Sequence, residues 1–367
     1  ISGNREPVWL VDGFILDDPV SISTEELNDL DNVNLIGNAI SGLNTNDIEK
    51  IDVLKDASAT AIYGVRAANG VIVVTTKKGK MGAPRVNYSG TMTVTERPSY
   101  NRLNLMNSLE RVEVSKEIVQ KGLVYSYIPA AVGYEGLLYD YYDRKYTTDE
   151  FLSAVQKIET INTDWFDVLY RTSVSHRHNL SISGADQKVN YYVSAAYSDE
   201  NATVKGTGVD SYNIMSKVQV RFLKNLIGTV QMRGNLSKKT YTHSSISPYS
   251  YAYNMSRAIP AYNEDGSYAF YNAQQGHSSQ LVYNVLHEMD NSGRTVDGGG
   301  LNFNANLEWT IINGLRATGT VAVNYANTSE QEWFSDKSFA AAKLRFLNYG
   351  GPFPESTGTS NPWQEQQ

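Results

Sequence analysis

From residue 85 onward, apolar and polar residues alternate within seven segments of the chain. Successive side chains of a β-strand point to opposite faces, so each segment predicts a strand with one apolar face and one polar face. The predicted strands are Val86–Val94, His178–Gly184, Val189–Tyr197, Tyr212–Phe222, Leu226–Leu236, Leu301–Ile311 and Leu315–Tyr325. The polar faces carry mainly Asn, Ser, Thr, Gln, Lys and Arg, and the pattern predicts antiparallel β-structure.

The connections between these strands are alternately long and short. The short ones are Ala185–Lys188, Leu223–Asn225 and Ile312–Gly314, and the long ones are Thr95–Arg177, Ser198–Ser211 and Ser237–Gly300. Soluble sandwiches rarely separate long and short loops to opposite ends, whereas outer-membrane barrels have short periplasmic turns and long outer loops. Most of the segments also approach the 9–11 residues with which a tilted strand crosses a bilayer. We therefore predict a transmembrane antiparallel β-barrel with its apolar faces towards lipid. An arginine at Val220, taken as mid-bilayer, should cost about 2–4 kcal/mol.

Composition and the absence of known motifs exclude several classes of protein. The 367 residues carry a net charge of −7 and no cysteine, which argues against a nucleic-acid binder held by phosphate contacts. The chain contains no HExxH, GxSxG, P-loop or GxGxxG motif, so we predict neither an enzyme nor a cofactor. His176 and His178 share one strand face, where a polar strand end is favoured over a metal pair. Asp297–Gly300, reading DGGG, is interpreted as a flexible turn.

The segment Asp47–Lys80 precedes the strands and has a different pattern. The short apolar run ending at Leu54 predicts a strand. A helix is predicted next, with Asp56 as its N-cap and an alanine-rich stretch to Tyr63 as its body. Gly64 would end it. Six β-branched residues at Val71–Thr76 predict a second strand. From propensity alone, this unit fits any α/β domain.

The same segment resembles the end of the plug domain of SusC/RagA-family TonB-dependent transporters. It matches the family phrase IE-x-I-x-VLKD-x-SA-x-A-(I/L)YG-x-R-x-ANGVI at Ile48, Glu49, Ile51, Val53–Asp56, Ser58–Ala59, Tyr63–Gly64, Arg66 and Ala68–Ile72. Pro7–Gly13, reading PVWLVDG, is similar to an earlier plug phrase. Thr163–Asp167 and His178–Tyr197 resemble the family's second and third barrel strands.

The resemblance implies a barrel of about 22 strands around an N-terminal α+β plug in the lumen. Residues 1–83 would be the C-terminal part of the plug and 84–367 the first part of the barrel, with a signal sequence, TonB box and further plug ahead. It also implies an outer-membrane protein of Bacteroidota, a SusD-like lipoprotein lid, the TonB–ExbB–ExbD complex, and import of an oligosaccharide or peptide. A non-transporting scaffold subunit and a secreted adhesive β-protein remain as alternatives.

Two groups of residues are candidates for function. Plug residues expected to shape gating without chemistry of their own are Asp12, Gly13, Lys55, Asp56, Tyr63, Gly64, Arg66, Asn69 and Gly70. The third long connection is rich in tyrosine, and flat amphipathic rings suit stacking on sugars, although internal packing explains them as well. The candidate substrate contacts are Tyr249, Tyr251, Tyr253, Tyr262, Tyr268 and Tyr271. Asn107 with Glu110 and Thr147 with Glu150 predict two capped helices in the first long connection.

Overall fold

A computed structural model of the chain describes residues 8–16, 43–54, 70–123, 132–272 and 282–347. The N-terminal part forms a four-stranded sheet, called here the plug sheet. Its strands are β1 (Val8–Val11), β2 (Phe14–Leu16), β3 (Ile48–Leu54) and β4 (Val71–Thr76), in the order β2-β1-β4-β3. β1 runs parallel to β4, and the other pairs are antiparallel. The predicted strands at Ile51–Leu54 and Val71–Thr76 are confirmed, whereas the predicted helix from Asp56 to Gly64 lies outside the described residues.

The rest of the chain forms a seven-stranded antiparallel sheet, with strands β10 and β11 forming a small separate hairpin. The strands are β5 (Gly82–Thr95), β6 (Ser173–Ala185), β7 (Val189–Asn201), β8 (Gly208–Leu223), β9 (Leu226–Tyr241), β10 (Tyr271–Asn272), β11 (Val282–Tyr283), β12 (Ser292–Ile312) and β13 (Leu315–Phe334). Every predicted strand lies within an observed one, and neighbours in sequence are neighbours in the sheet. This is the connectivity of an up-and-down barrel wall.

Two expectations about the connections are wrong. The predicted long connection Ser198–Ser211 is reduced to residues 202–207, because β7 and β8 continue with polar residues on both faces and the hydropathy pattern fades before the strands end. Asp297–Gly300 is not a turn and lies within β12, paired on both sides. A Cβ at Gly300 would lie 2.7 Å from Asn235 Oδ1, so glycine there permits close strand packing.

The two faces of the sheet divide as predicted. On the apolar face, Met92 is 69% and Val321 60% exposed. On the opposite face, Asn179, Gln231 and Arg233 are buried although polar. Met215 is an exception, since this apolar side chain is fully buried on the polar face of β8.

Cross-strand register defines the apolar band on the outer face. Its lower edge holds Leu226 beside Trp309, and its upper edge holds Tyr212 beside Leu236. The ten residue steps from Leu226 to Leu236, at about 3.4 Å each and tilted by about 40°, span roughly 26 Å, close to the height of a lipid-facing band. The next outward row is polar and consists of His176, Asp199, Asp210, Lys238 and Asp297. Val220 lies only two residues above the lower edge. The expectation that Val220 lies at mid-bilayer is therefore wrong.

The long connections form a helical cap at one end of the sheet, called here the outer lobe. It comprises α1 (Ser108–Gln120), α2 (Gly133–Tyr142), α3 (Thr148–Thr160), α4 (Trp165–Leu169), α5 (Pro248–Asn254) and α6 (Val285–Asp290), and α7 (Phe339–Leu347) follows β13. Both predicted capping boxes are present, at Asn107 with Glu110 and at Thr147 with Glu150. Trp165, Phe166 and Val285 belong to its core, which joins the first and third long connections. None of the helices in the described residues has the length and apolarity to span a membrane.

Candidate functional site: the contact between the plug sheet and the barrel wall

Asp12 joins the plug sheet to the wall. Leu10 and Val11 of β1 are fully buried in the plug, and the chain then turns through Asp12 and Gly13, whose φ angles are +51° and +89°. These left-handed conformations suit aspartate and glycine, which explains the VDG phrase locally. The turn presents the Asp12 carboxylate to the inner face of β8 and β9.

The carboxylate accepts four hydrogen bonds. From the plug it accepts the Thr76 backbone N–H at 3.0 Å and the Thr76 hydroxyl at 2.5 Å. From the wall it accepts Lys217 Nζ at 3.0 Å and Gln231 Nε2 at 2.7 Å. Lys217 and Gln231 are cross-strand partners, and Lys217 also donates to Thr76 Oγ1 at 3.0 Å. We call these four residues the Asp12 contact.

The charge at Asp12 is stabilised by these donors. Burial works to raise the pKa of Asp12, but the Lys217 ammonium and the hydrogen bonds from Thr76 outweigh it and hold the pKa below its usual range. The carboxylate is therefore ionised at neutral pH. Arg233, one inward position further along β9, adds a second positive charge nearby and keeps its Nε without a hydrogen-bond partner.

A second polar contact lies at the start of β3. Asn44 Nδ2 donates to Asn179 Oδ1 at 2.7 Å, and the Tyr192 hydroxyl donates to Asp47 Oδ1 at 2.8 Å. Burial raises the pKa of Asp47 despite the hydrogen bonds it accepts. Arg177 NH1 also reaches Thr45 Oγ1 at 3.2 Å. The plug sheet therefore touches β6 and β7 through amides, a hydroxyl and a carboxylate.

The segment between β4 and β5 is fastened to the β6–β7 turn. Asn190 accepts the Gly79 N–H at 2.8 Å and donates to the Gly79 carbonyl at 2.8 Å. A Cβ at Gly79 would lie 2.1 Å from the Gly184 carbonyl oxygen, so only glycine fits this approach. We call the Gly79–Asn190 pair the linker clamp.

The structure brings some of the predicted gating residues together. Asp12 belongs to the Asp12 contact, and Gly13 lies in the turn that presents it. Gly70, with φ of +101°, accepts the Val8 N–H at 3.1 Å just before β4. Lys55, Asp56, Tyr63, Gly64, Arg66 and Asn69 lie outside the described residues. Asp52 of β3 pairs with Lys50 on its own strand at 2.9 Å.

Sequence reasoning missed several wall partners. Strand periodicity assigned Asn179, Lys217 and Gln231 to the polar face, but it did not say which plug groups they meet. Asp47 and Tyr192 were not singled out. A carboxylate at a strand end opposite an inward tyrosine leaves no local pattern in sequence.

The predicted tyrosines separate into two groups. Tyr249, Tyr251 and Tyr271 pack against the outer-lobe core, with the Tyr251 and Tyr271 hydroxyls 3.0 Å apart. Burial raises the pKa of both Tyr251 and Tyr271. Tyr253 and Tyr262 are exposed, and Tyr262 stacks on Tyr268 with ring centroids 5.8 Å apart. Their contact with substrate stays a prediction.

The two histidines of β6 lie on the outer face. Their ring centroids are 5.3 Å apart, and His178 Nδ1 lies 2.6 Å from the Tyr88 hydroxyl. Among the described residues, no three His, Cys, Asp or Glu side chains are grouped so that they could hold a metal ion.

Comparison with known proteins agrees with this architecture. No family model matches the chain. A TonB-dependent receptor of Formosa agariphila is 26% identical over 369 residues, covering 100% of this chain and 32% of the relative. The TonB-dependent receptor SusC of Bacteroides thetaiotaomicron is 33% identical over 206 residues, 56% of this chain and 16% of the relative.

Solved structures show the same fold. The RagAB peptide importer in its closed-closed state superposes with a TM-score of 0.66 at 21% identity, covering 90% of this chain and 36% of that one. The open-open state gives a TM-score of 0.63 at 21% identity, covering 89% of this chain and 35% of that one. The chain thus spans about a third of the length of the first of these relatives.

A plug sheet held by polar bonds inside a lipid-facing antiparallel wall defines an integral outer-membrane β-barrel of the TonB-dependent receptor class. Within that class, the chain is similar to receptors of the SusC/RagA family, and the plug sheet and the wall both lie within the matched length.

Proposed function

We propose that the whole protein imports a nutrient, an oligosaccharide or a peptide, across the outer membrane, driven by TonB. Relatives named TonB-dependent receptors and the fold of a peptide importer support this proposal. The proposal assigns no reaction chemistry to the chain. It includes a SusD-like lipoprotein lid on the outer side and the TonB–ExbB–ExbD complex on the periplasmic side.

The observation that carries the proposal is the chemistry of the Asp12 contact. If the plug and the wall met through apolar surfaces, separating them would cost about 25 cal/mol for each Å² exposed. Such an interface would strongly resist movement of the plug. Hydrogen bonds to a wet lumen can be exchanged for water at about 1 kcal/mol each. The contacts at Asp12, Asn44 and Asp47 are all of this exchangeable kind.

The proposal divides the chain at residue 83, with the plug before and the barrel wall after. Asp12, Gly13 and Gly70 would shape the plug's movement, together with Lys55, Asp56, Tyr63, Gly64, Arg66 and Asn69. Tyr253, which is exposed in the outer lobe, would face substrate or lid.

A reversible crosslink tests whether the plug must move. The chain has no cysteine, so cysteines at positions 12 and 231 are the only thiols that this segment supplies. The native side chains meet at 2.7 Å, and a short bis-methanethiosulfonate can bridge the thiols. We expect the bridge to abolish growth on the cognate nutrient and reduction to restore it.

Each single-cysteine variant, treated with the same reagent, is the control for loss of the Asp12 contact itself. Undiminished uptake with the bridge fully formed would contradict plug movement and would favour the scaffold role.

A further inference from the structure

An aromatic cavity opens between the outer lobe and the tops of β9, β12 and β13. It has a volume of about 490 Å³, within the range of about 300–1,000 Å³ that is typical of small-molecule sites. Its aromatic walls are Tyr262, Tyr268 and Trp333, and its floor includes Thr240 and Thr295. None of the contacts between plug and wall involves it.

The cavity faces away from the lumen. Gly293 and Thr295 lie on the same face of β12 as Asp297 and Gly299, and Gly299 is the register partner of Leu236 at the upper edge of the apolar band. Gly293 pairs with Trp333, so this ring also belongs to the outer face. The six residue steps from Gly299 to Gly293, at about 3.4 Å each and tilted by about 40°, put the ring roughly 15 Å above the band.

Two aromatic faces are held in place for a ligand. Trp333 lies flat against Gly293, where a Cβ would come within 3.1 Å of its Nε1, and the ring remains 44% exposed. Tyr262 is backed by Tyr268, with an interplanar angle of 29°, and is 47% exposed. Each ring thus has one side supported by protein while much of its surface stays open.

The charged groups around the cavity are already bonded within the protein. Lys205 Nζ donates to the carbonyls of Asp167 and Val168, each at 2.8 Å. Asp290 accepts the Tyr268 hydroxyl, and Arg294 pairs with Glu330. Lys205 keeps its charge, but Asp290 carries the opposite charge and Arg294 is paired with Glu330, so the cavity has no net positive charge to attract an anionic ligand such as a phosphate. Hydroxyls and amphipathic ring faces are the groups that a neutral sugar uses.

We propose that this cavity binds a neutral saccharide, stacked on Trp333 and Tyr262 and reached from outside the barrel wall just above the membrane. Such a saccharide can come from the headgroup of an outer-leaflet glycolipid or from a free oligosaccharide. The site is separate from the lumen and does not depend on the import proposal.

The test uses full-length protein in detergent micelles and isothermal titration calorimetry with two probes. One probe is a neutral fragment of the lipopolysaccharide core, freed of its phosphates and its acidic Kdo residue, and the other is maltotriose. We expect saturable binding of at least one probe, which identifies the source. Trp333→Ala and Tyr262→Ala should each weaken that binding at least tenfold.

Trp333→Phe and Tyr262→Phe should retain most of the affinity, because they keep a ring face. Tyr142→Ala is the matched control, since Tyr142 is also exposed in the outer lobe, at 66%, but does not line the cavity. Absence of binding by wild-type protein to both probes would overturn the proposal. So would binding that both alanine variants leave unchanged, because the ligand would then lie elsewhere.

Discussion

Replacing Asp12 by asparagine should loosen the plug sheet from the wall while leaving the barrel intact. The variant keeps the shape of the side chain and one acceptor oxygen, but it removes the negative charge beside Lys217, whose Nζ lies 3.0 Å away. Gln231 can turn its amide to accept from the new NH₂ group. Lys217 and the Thr76 hydroxyl lose their anionic acceptor.

The size of the effect follows from burial. The Lys217 and Asp12 side chains are 18% and 10% exposed, between a surface pair worth about 0–1 kcal/mol and a buried pair whose disruption costs about 3–5 kcal/mol. Allowing for water in the lumen, we expect a loss of about 2.1–2.8 kcal/mol in local stability. At 1.4 kcal/mol for each factor of ten, that corresponds to roughly 30- to 100-fold.

Hydrogen exchange of the full-length protein measures this directly, because the Thr76 N–H is bonded to Asp12 Oδ1 at 3.0 Å. Thr76 and its neighbours on β4 should exchange 30- to 100-fold faster, and the β8–β9 ladder should not change. Asp52→Asn is the matched control, an identical change in the same sheet at a pair with 66% and 40% exposed side chains. Its effect should stay below threefold. If both variants behave alike, or if Thr76 exchange stays within threefold of wild type in Asp12→Asn, the Asp12 contact does not hold the plug.

Three further outcomes are expected. Val230 lies on the lipid face, four residues above Leu226 and near mid-bilayer. Val230→Arg should therefore lower the free energy of unfolding, measured with urea in liposomes, by about 2–4 kcal/mol, and Val220→Arg, nearer the edge, should lower it less. Equal costs would contradict the assigned band. Gly79→Ala should displace the linker and speed tryptic cleavage at Lys78 and Lys80, whereas Gly319→Ala, with nothing within 4 Å of the new Cβ, should not. Because the folded pKa of Asp12 is lowered, its stabilisation is complete above the unfolded pKa of about 3.9 and is lost as pH falls through the folded value. A fluorescent label on a cysteine replacing Phe14 should therefore report loosening only below about pH 4, and a transition near neutrality would refute this assignment.

Much of the wall could be predicted from sequence, because the two-residue period of a strand assigns every residue in it to one face or the other. The alternation of apolar and polar residues alone places Met92 and Val321 on the lipid-facing side and Gln231 on the opposite, inner side. The structure agrees, since Met92 and Val321 are exposed and Gln231 is buried. The strand ends could not be predicted, since above the membrane both faces of β7 and β8 are polar and Asp199 pairs with Asp210 without any change in hydropathy. The glycines of β12 misled the analysis, because glycine chosen for close packing and glycine chosen for a turn look the same in sequence.

The partners in the Asp12 contact could not be predicted from sequence, because they are brought together only by the tertiary fold. Asp12 and Gln231 are 219 positions apart, and no local pattern connects them. The VDG phrase predicts the turn, because aspartate and glycine tolerate positive φ, but not the wall residues that the turn meets. The same limit applies to Asp52, because its position in the strand does not reveal that it pairs with its strand neighbour Lys50.

The two ends of the plug sheet are fastened differently, and the difference bears on how it could move under the proposed import mechanism. Asp12, at the end of β1, is held by hydrogen bonds and an ion pair that water can replace. Gly79, after β4, is held by two hydrogen bonds and by a steric fit so close that a single methyl group would collide with Gly184. Force applied ahead of β1 reaches the Asp12 contact first and the linker clamp last. β1 pairs with β4 over only four residues, so β1 and β2 can leave while β4 stays attached to the wall. The linker clamp would then act as the fixed point from which the plug refolds.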